Sequence, residues 1–140
     1  MSEGDVVRAV LIEPGQNPTE VFLKIKMPLD LREVLRWDGD SNKIVSCSHH
    51  YRWVHYHFID AEPTRERPPN VHFPFRGHPL VPVFVDYNTG WRTLNGPVLV
   101  AQSRHIPGDI DGTQEIISLN DDKVVAWIVQ TFVLGGAYRI

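Results

Sequence analysis

Cysteine is almost absent from this chain: Cys47 is the only one in 140 residues. An internal disulfide is therefore impossible, and so is a zinc cage built on several thiolates. A reducing, cytoplasmic setting follows as the economical expectation. Long apolar runs are missing too. None approaches the eighteen residues that a membrane-spanning helix needs. The opening Met1-Ser2-Glu3-Gly4-Asp5 is acidic and has no apolar stretch, so no secretory signal is expected. Excess basic charge is lacking as well: the formal net charge of −3 excludes a general nucleic-acid binder. Glycine signatures that cradle phosphates do not occur, whether Gly-x-Gly-x-x-Gly or P-loop. Nor does the Gly-x-Ser-x-Gly elbow of a serine nucleophile. Asp109, Asp111 and Glu115 fall short of the twelve-residue calcium loop.

What remains is an ordinary globular composition, with 42% apolar and 22% charged residues, of a length that suits one domain spanning 1–140. Its charge is unevenly placed. Residues 1–40 hold eight acids against five bases, and residues 81–140 hold six against four. The stretch 41–80 reverses the balance with five bases against three acids, and it carries six of the seven histidines. Histidine titrates near neutrality, so this middle stretch is the expected seat of an anion or metal site.

The apolar pattern predicts α+β architecture: six or seven mostly antiparallel strands with two helices on the sheet. A β-branched run from Asp5 to Glu13, the turn Pro14-Gly15-Gln16-Asn17-Pro18, and alternation from Thr19 to Lys26 predict a hairpin. Pro28 as a first-turn residue, with Leu31, Val34 and Leu35 at helical spacing, predicts a helix from about 28 to 37, capped by Gly39. Strands are expected over Lys43–Cys47, Tyr51–Ile59, Leu80–Asp86, Trp91–Leu94 and Pro97–Ser103. Tyr87–Gly90 reads as a turn and 105–114 as loop. Five prolines between 63 and 79 exclude a helix and any interior strand, so 61–80 reads as a long proline-rich loop. Over 119–134, β-branched residues individually favour strand. Helical spacing of Val124, Trp127, Ile128 and Phe132 and a capping box begun by Ser118 favour a buried helix stopped by Gly135-Gly136.

Two constellations carry chemistry. His55 and His57 lie two apart on a strand and so share a face, with Glu62 five residues on. This His-x-His-x4-Glu spacing resembles the first metal-binding motif of the cupins, small β-barrels that often hold a divalent transition metal. The match spans eight residues; His49 stands where the motif has glycine, the second cupin motif has no counterpart, and His105 is the candidate third imidazole. The resemblance implies a metal-dependent enzyme using His55, His57 and Glu62. Otherwise the two imidazoles sit on a solvent-facing strand flank.

The second constellation is the proline-rich loop. Arg65, Arg67 and Arg76 beside His72 and His78 offer guanidinium forks for phosphate or carboxylate, and Tyr51 and Trp53 are candidate stacking partners. The alternative is a solvated loop whose arginines pair with Glu62 and Glu66. Cys47 near His49 is better read as an inert thiol than as a dyad.

The opening strand ending in Glu13-Pro14-Gly15, followed by Pro18-x-Glu20-Val21, resembles a family of small uncharacterised phage and plasmid proteins. Gly96-Pro97-Val98-Leu99-Val100 and Ser118-Leu119-Asn120-Asp121 are similar to that family's later strand and helix start. The resemblance implies a viral, mobile-element origin and anti-defence or blocking roles in the host cytoplasm. It brings no catalytic residues with it. These readings together predict a non-enzymatic, cofactor-free binding protein that sequesters a host protein or a small anionic ligand. The alternatives are the cupin-like metalloenzyme and a structural subunit that forms a homo-oligomer.

Overall fold

The structure is a computed structural model that describes residues 6–24, 31–49, 54–74, 91–105 and 114–140. It is α+β and mostly antiparallel sheet. The elements are β1 (Val6–Ile12), β2 (Thr19–Lys24), α1 (Leu31–Leu35), β3 (Ile44–His49), β4 (Val54–Ile59), β5 (Pro69–Pro74), β6 (Trp91–Asn95), β7 (Val98–His105), β8 (Gln114–Ile117) and α2 (Asp122–Thr131).

The main sheet has six strands in the order β2-β1-β7-β4-β3, and β8 also pairs with β7. Strand β7 serves two partners along one edge. Its first residues pair with the end of β1, as in Val10 with Val100, and its later residues pair with β8, as in Gln102 with Ile117. The start of β1 meets residues 118 and 119 instead. Ser118 Oγ accepts from the Arg8 amide at 2.9 Å, and the Leu119 amide donates to the Arg8 carbonyl.

Every residue of β4 is buried because the sheet is covered on both faces. On one face Val10, Ile12, Val54, Tyr56, Phe58 and Val100 pack against Val124, Val125 and Ile128 of α2 and its C-cap Phe132, with Val71 and Leu94 of the β5–β6 ribbon beside them. On the other, Ala9, Ile59, Leu99 and Ala101 pack against Leu35, with Leu31 and Val34 of α1 alongside. Among the described residues no helix is long and apolar enough to cross a membrane.

The predicted hairpin forms, its described strands Val6–Ile12 and Thr19–Lys24 pairing antiparallel with Ala9 opposite Val21. Several local expectations are corrected. Helix α1 ends at Leu35, and Arg36, with φ +52°, takes the left-handed position assigned to Gly39. Gly39 lies against the Trp37 ring, where a Cβ would come within 2.4 Å of Cζ2. Ser118 does not cap α2. Asp121 does, its carboxylate accepting from the Lys123 amide at 2.9 Å. The helix stops at Thr131, before the two glycines. The stretch 61–80 is not loop throughout, since Pro69–Pro74 forms β5. Its prolines fit because they are the first and last residues of β5, while the residues between them pair with β6 on one side and meet the C-terminal segment at Val71 and Arg139 on the other. Strand β8 is an addition: of its residues only Gln114 falls in the stretch read as loop, and 115–117 carry no expectation. The expectations for Pro28, Leu80–Asp86 and Tyr87–Gly90 lie outside the described residues.

Candidate functional site: a guanidinium-lined groove beside the first helix

Residues 60–68 lead from the end of β4 to β5. Within them Thr64 and Arg67 close a tight turn, each amide donating to the other's carbonyl, while Thr64 Oγ1 accepts from the Arg67 amide at 3.1 Å. The turn sends the Arg67 side chain inward, where only 7% of the residue remains exposed. Nη1 donates to the Leu35 carbonyl at 2.9 Å and to the Arg36 carbonyl at 3.3 Å. These are orphan carbonyls at the end of α1, so a cation here also satisfies the helix terminus. Cζ lies 5.6 Å from the centre of the Trp37 ring, within cation–π range.

Around this buried guanidinium is an open groove of about 640 Å³, lined by Arg32, Glu33, Arg36, Trp37, Asp38, Thr64, Glu66 and Arg67. The other two arginines are anchored. Arg32 Nη1 donates to the Gly39 carbonyl at 2.7 Å, and Arg36 Nη1 meets Glu13 Oε1 at 2.6 Å. Arg67 differs. Among the described residues no carboxylate lies within ion-pair distance of it, and its buried Nε and Nη2 have no hydrogen-bond acceptor. Burial, followed by repulsion from Arg36, pushes its pKa below the usual guanidinium value, while Glu13 acts the other way. Buried charges are normally paired.

Of the seven residues predicted to hold an anion, three are described. Arg67 lines the groove; Arg65 is exposed and is not part of its lining. His72 is half-buried on β5, its Nδ1 3.1 Å from Thr93 Oγ1 across the ribbon, away from the groove residues. Tyr51, Trp53, Arg76 and His78 lie outside the described residues. Arg32, Arg36 and Trp37 were missed. The spacing of Arg32 and Arg36, four apart on a predicted helix, was the signal that could have found them.

His55 and His57 do come together, with ring centroids 6.3 Å apart and planes 22° from parallel. They are not on a solvent-facing flank. Both are buried on the α1 side of the sheet, because β4 is an interior strand. His57 Nδ1 is 2.6 Å from Ser46 Oγ, directly across the ladder, and its buried Nε2 has no partner among the described residues. Burial, with His55 as a lesser cause, pushes the His57 imidazole down to about 4, so the ring is neutral near pH 7. Glu62 is exposed and lines a separate hollow of about 90 Å³ with Asp60, Thr93 and Asn95. Among the described residues no three His, Cys, Asp or Glu side chains gather as a metal site would require.

Comparison with family models, with curated proteins and with solved structures finds no match. The functional reading therefore rests on the chemistry of these residues.

Proposed function

We propose that this chain is a non-enzymatic binding protein whose groove beside α1 takes an anionic group, either of a small ligand or of a host protein it sequesters. One observation carries the reading: Arg67 is a buried cation without a carboxylate partner among the described residues, on a groove that also presents Arg32 and Arg36. An anion entering the groove offsets the repulsion between Arg36 and Arg67 and gains charge-assisted hydrogen bonds from the rim arginines. Trp37 adds an indole surface beside the charge. The phage-type resemblance of Glu13-Pro14-Gly15 and of Ser118-Leu119-Asn120-Asp121 agrees with a blocking role in a host cytoplasm.

The test is calorimetric titration with pyrophosphate and with citrate at low ionic strength. Binding is expected in the wild type, weakened roughly ten- to a hundredfold in Arg32→Gln and Arg36→Gln, the loss of about 1.5–3 kcal/mol that one charge-assisted pair represents. Failure of the wild type to bind either anion, or unchanged affinity in both variants, refutes the proposal.

A further inference from the structure

Strand β2 ends the main sheet, and among the described residues nothing pairs with its outer side. An edge strand presents unpaired backbone groups, and proteins commonly guard it with charges. Here Glu20, Phe22 and Lys24 project from one face, and all three are exposed, Phe22 by 65%. Val21 and Leu23 project from the other face, half-buried against the α1-side core. Read along the strand, Glu20-Val21-Phe22-Leu23-Lys24 is acid, apolar, aromatic, apolar, base.

Such an order is complementary to itself when reversed. Two copies set antiparallel about a two-fold axis at Phe22 place Phe22 against Phe22, Glu20 against Lys24, and Val21 against Leu23. Opposite charges directly across a ladder attract, and aromatic pairs add to sheet stability. A shift by one residue turns side chains to the wrong face, so this register is specified by both charge and apolar pattern. The charges that would repel most other strands therefore select this one. Arg8 engages both oxygens of Glu20, Nε donating to Oε1 at 2.9 Å and Nη2 to Oε2 at 3.5 Å, and each oxygen keeps a further lone pair for an incoming ammonium.

We infer that β2 is a self-recognition edge, through which two copies of this chain join their six-stranded sheets into one continuous sheet. The contact is isologous, as a two-fold dimer requires. It is independent of the groove, and β2 supplies none of the groove's lining.

Sedimentation equilibrium at roughly 100 µM tests the pairing, because mass action then favours even a weak dimer. Twice the 16.0 kDa chain mass is expected for the wild type. Phe22→Lys is expected to sediment as a monomer with unchanged circular dichroism. Register is tested in a Cys47→Ser background. Phe22→Cys is expected to oxidise to a cross-linked dimer, since opposed Cβ atoms approach to roughly 4.5–5.5 Å. Glu20→Cys and Lys24→Cys are each expected to stay uncrosslinked alone and to cross-link when mixed. A monomeric wild type, a dimeric Phe22→Lys, or self-linking of Lys24→Cys in preference to Phe22→Cys would overturn the inference.

Discussion

Gly96 lies flat against the guanidinium of Arg67. A Cβ built on it would sit 2.7 Å from Nη2, 2.8 Å from Cζ and 3.0 Å from Nε, nearly equidistant from three atoms of one plane. The Trp37 ring is a further neighbour of that guanidinium. Gly96 also has φ +74°, so it is required twice over, for its backbone and for its bare Cα. Gly15 shares the backbone angle, at φ +73°, but a Cβ there meets nothing within 4 Å. Gly15→Ala should therefore cost only the left-handed strain, about 1–2 kcal/mol. Gly96→Ala adds the displacement of Arg67 from the Leu35 and Arg36 carbonyls, and should cost about 2 kcal/mol more. Urea denaturation of the two variants measures the difference. Equal midpoints would show that Arg67 moves aside without loss.

Acid should destabilise the protein through His57. Its imidazole titrates at about 4 when folded, against the 6.5 of an unperturbed ring. Above pH 6.5 it is neutral in both states and contributes nothing to pH dependence. As pH falls from 6.5 towards 4 the unfolded chain takes up a proton that the folded chain refuses, and stability is lost. The full difference amounts to about 3 kcal/mol. In His57→Gln that slope should flatten by about one proton across the window, whatever the variant costs at neutral pH. Equal slopes would place the acid sensitivity elsewhere.

These two residues show what could be read from the sequence. Alternation and turn chemistry reveal a hairpin because its pairing is local; the Ala9–Val21 register follows from the turn. His55 and His57 were legible as neighbours, since strand periodicity is local too. Their burial was not, because it depends on β7 lying against β4 and on α1 covering that face. The burial of Arg67 was hidden for the same reason. Surrounded by prolines and charges it reads as a loop arginine open to an anion, yet a turn with Thr64 carries it against the end of α1, thirty-two residues earlier in the chain. Contacts at that separation leave no periodic trace.

The two ends of the capping segment separate cleanly by mutation. Asp121 is the N-cap of α2, so Asp121→Ala should cost about 1 kcal/mol. Ser118 instead joins β1 to the segment before the helix: its Oγ accepts from the Arg8 amide and donates to the Val6 carbonyl at 3.3 Å. Ser118→Ala should cost a similar amount, but through β1. Hydrogen exchange distinguishes the two, with faster exchange at the Arg8 amide expected in Ser118→Ala and at the Lys123 amide in Asp121→Ala. Fraying of α2 in Ser118→Ala would return the cap to Ser118.

Two polar side chains, Asn70 of β5 and Arg139 of the C-terminal segment, converge on the end of β1. Asn70 is fully buried and donates from Nδ2 to the Ile12 carbonyl at 2.8 Å and to the Gly96 carbonyl at 2.9 Å. Arg139 donates from Nη2 to the adjacent Glu13 carbonyl at 2.9 Å and from Nη1 to the Phe132 carbonyl at 2.8 Å, past the end of α2. Around them the Ile140 amide donates to the Asn70 carbonyl, and the His72 amide to that of Tyr138. Each side chain thus supplies donors to carbonyls that their own secondary structure leaves over. Removing a donor strands buried acceptors at about 1–3 kcal/mol each. Asn70→Ala should therefore cost about 2–4 kcal/mol, and Arg139→Ala a comparable amount. Because both act on the same turn after β1, their effects should couple. Once either is gone the turn relaxes, and the second loss costs less than it does alone. Arg139→Lys should recover little, since one ammonium cannot reproduce the span of the guanidinium fork. A double-mutant cycle in urea measures the coupling. Strict additivity of Asn70→Ala and Arg139→Ala would show two independent anchors rather than one clamp.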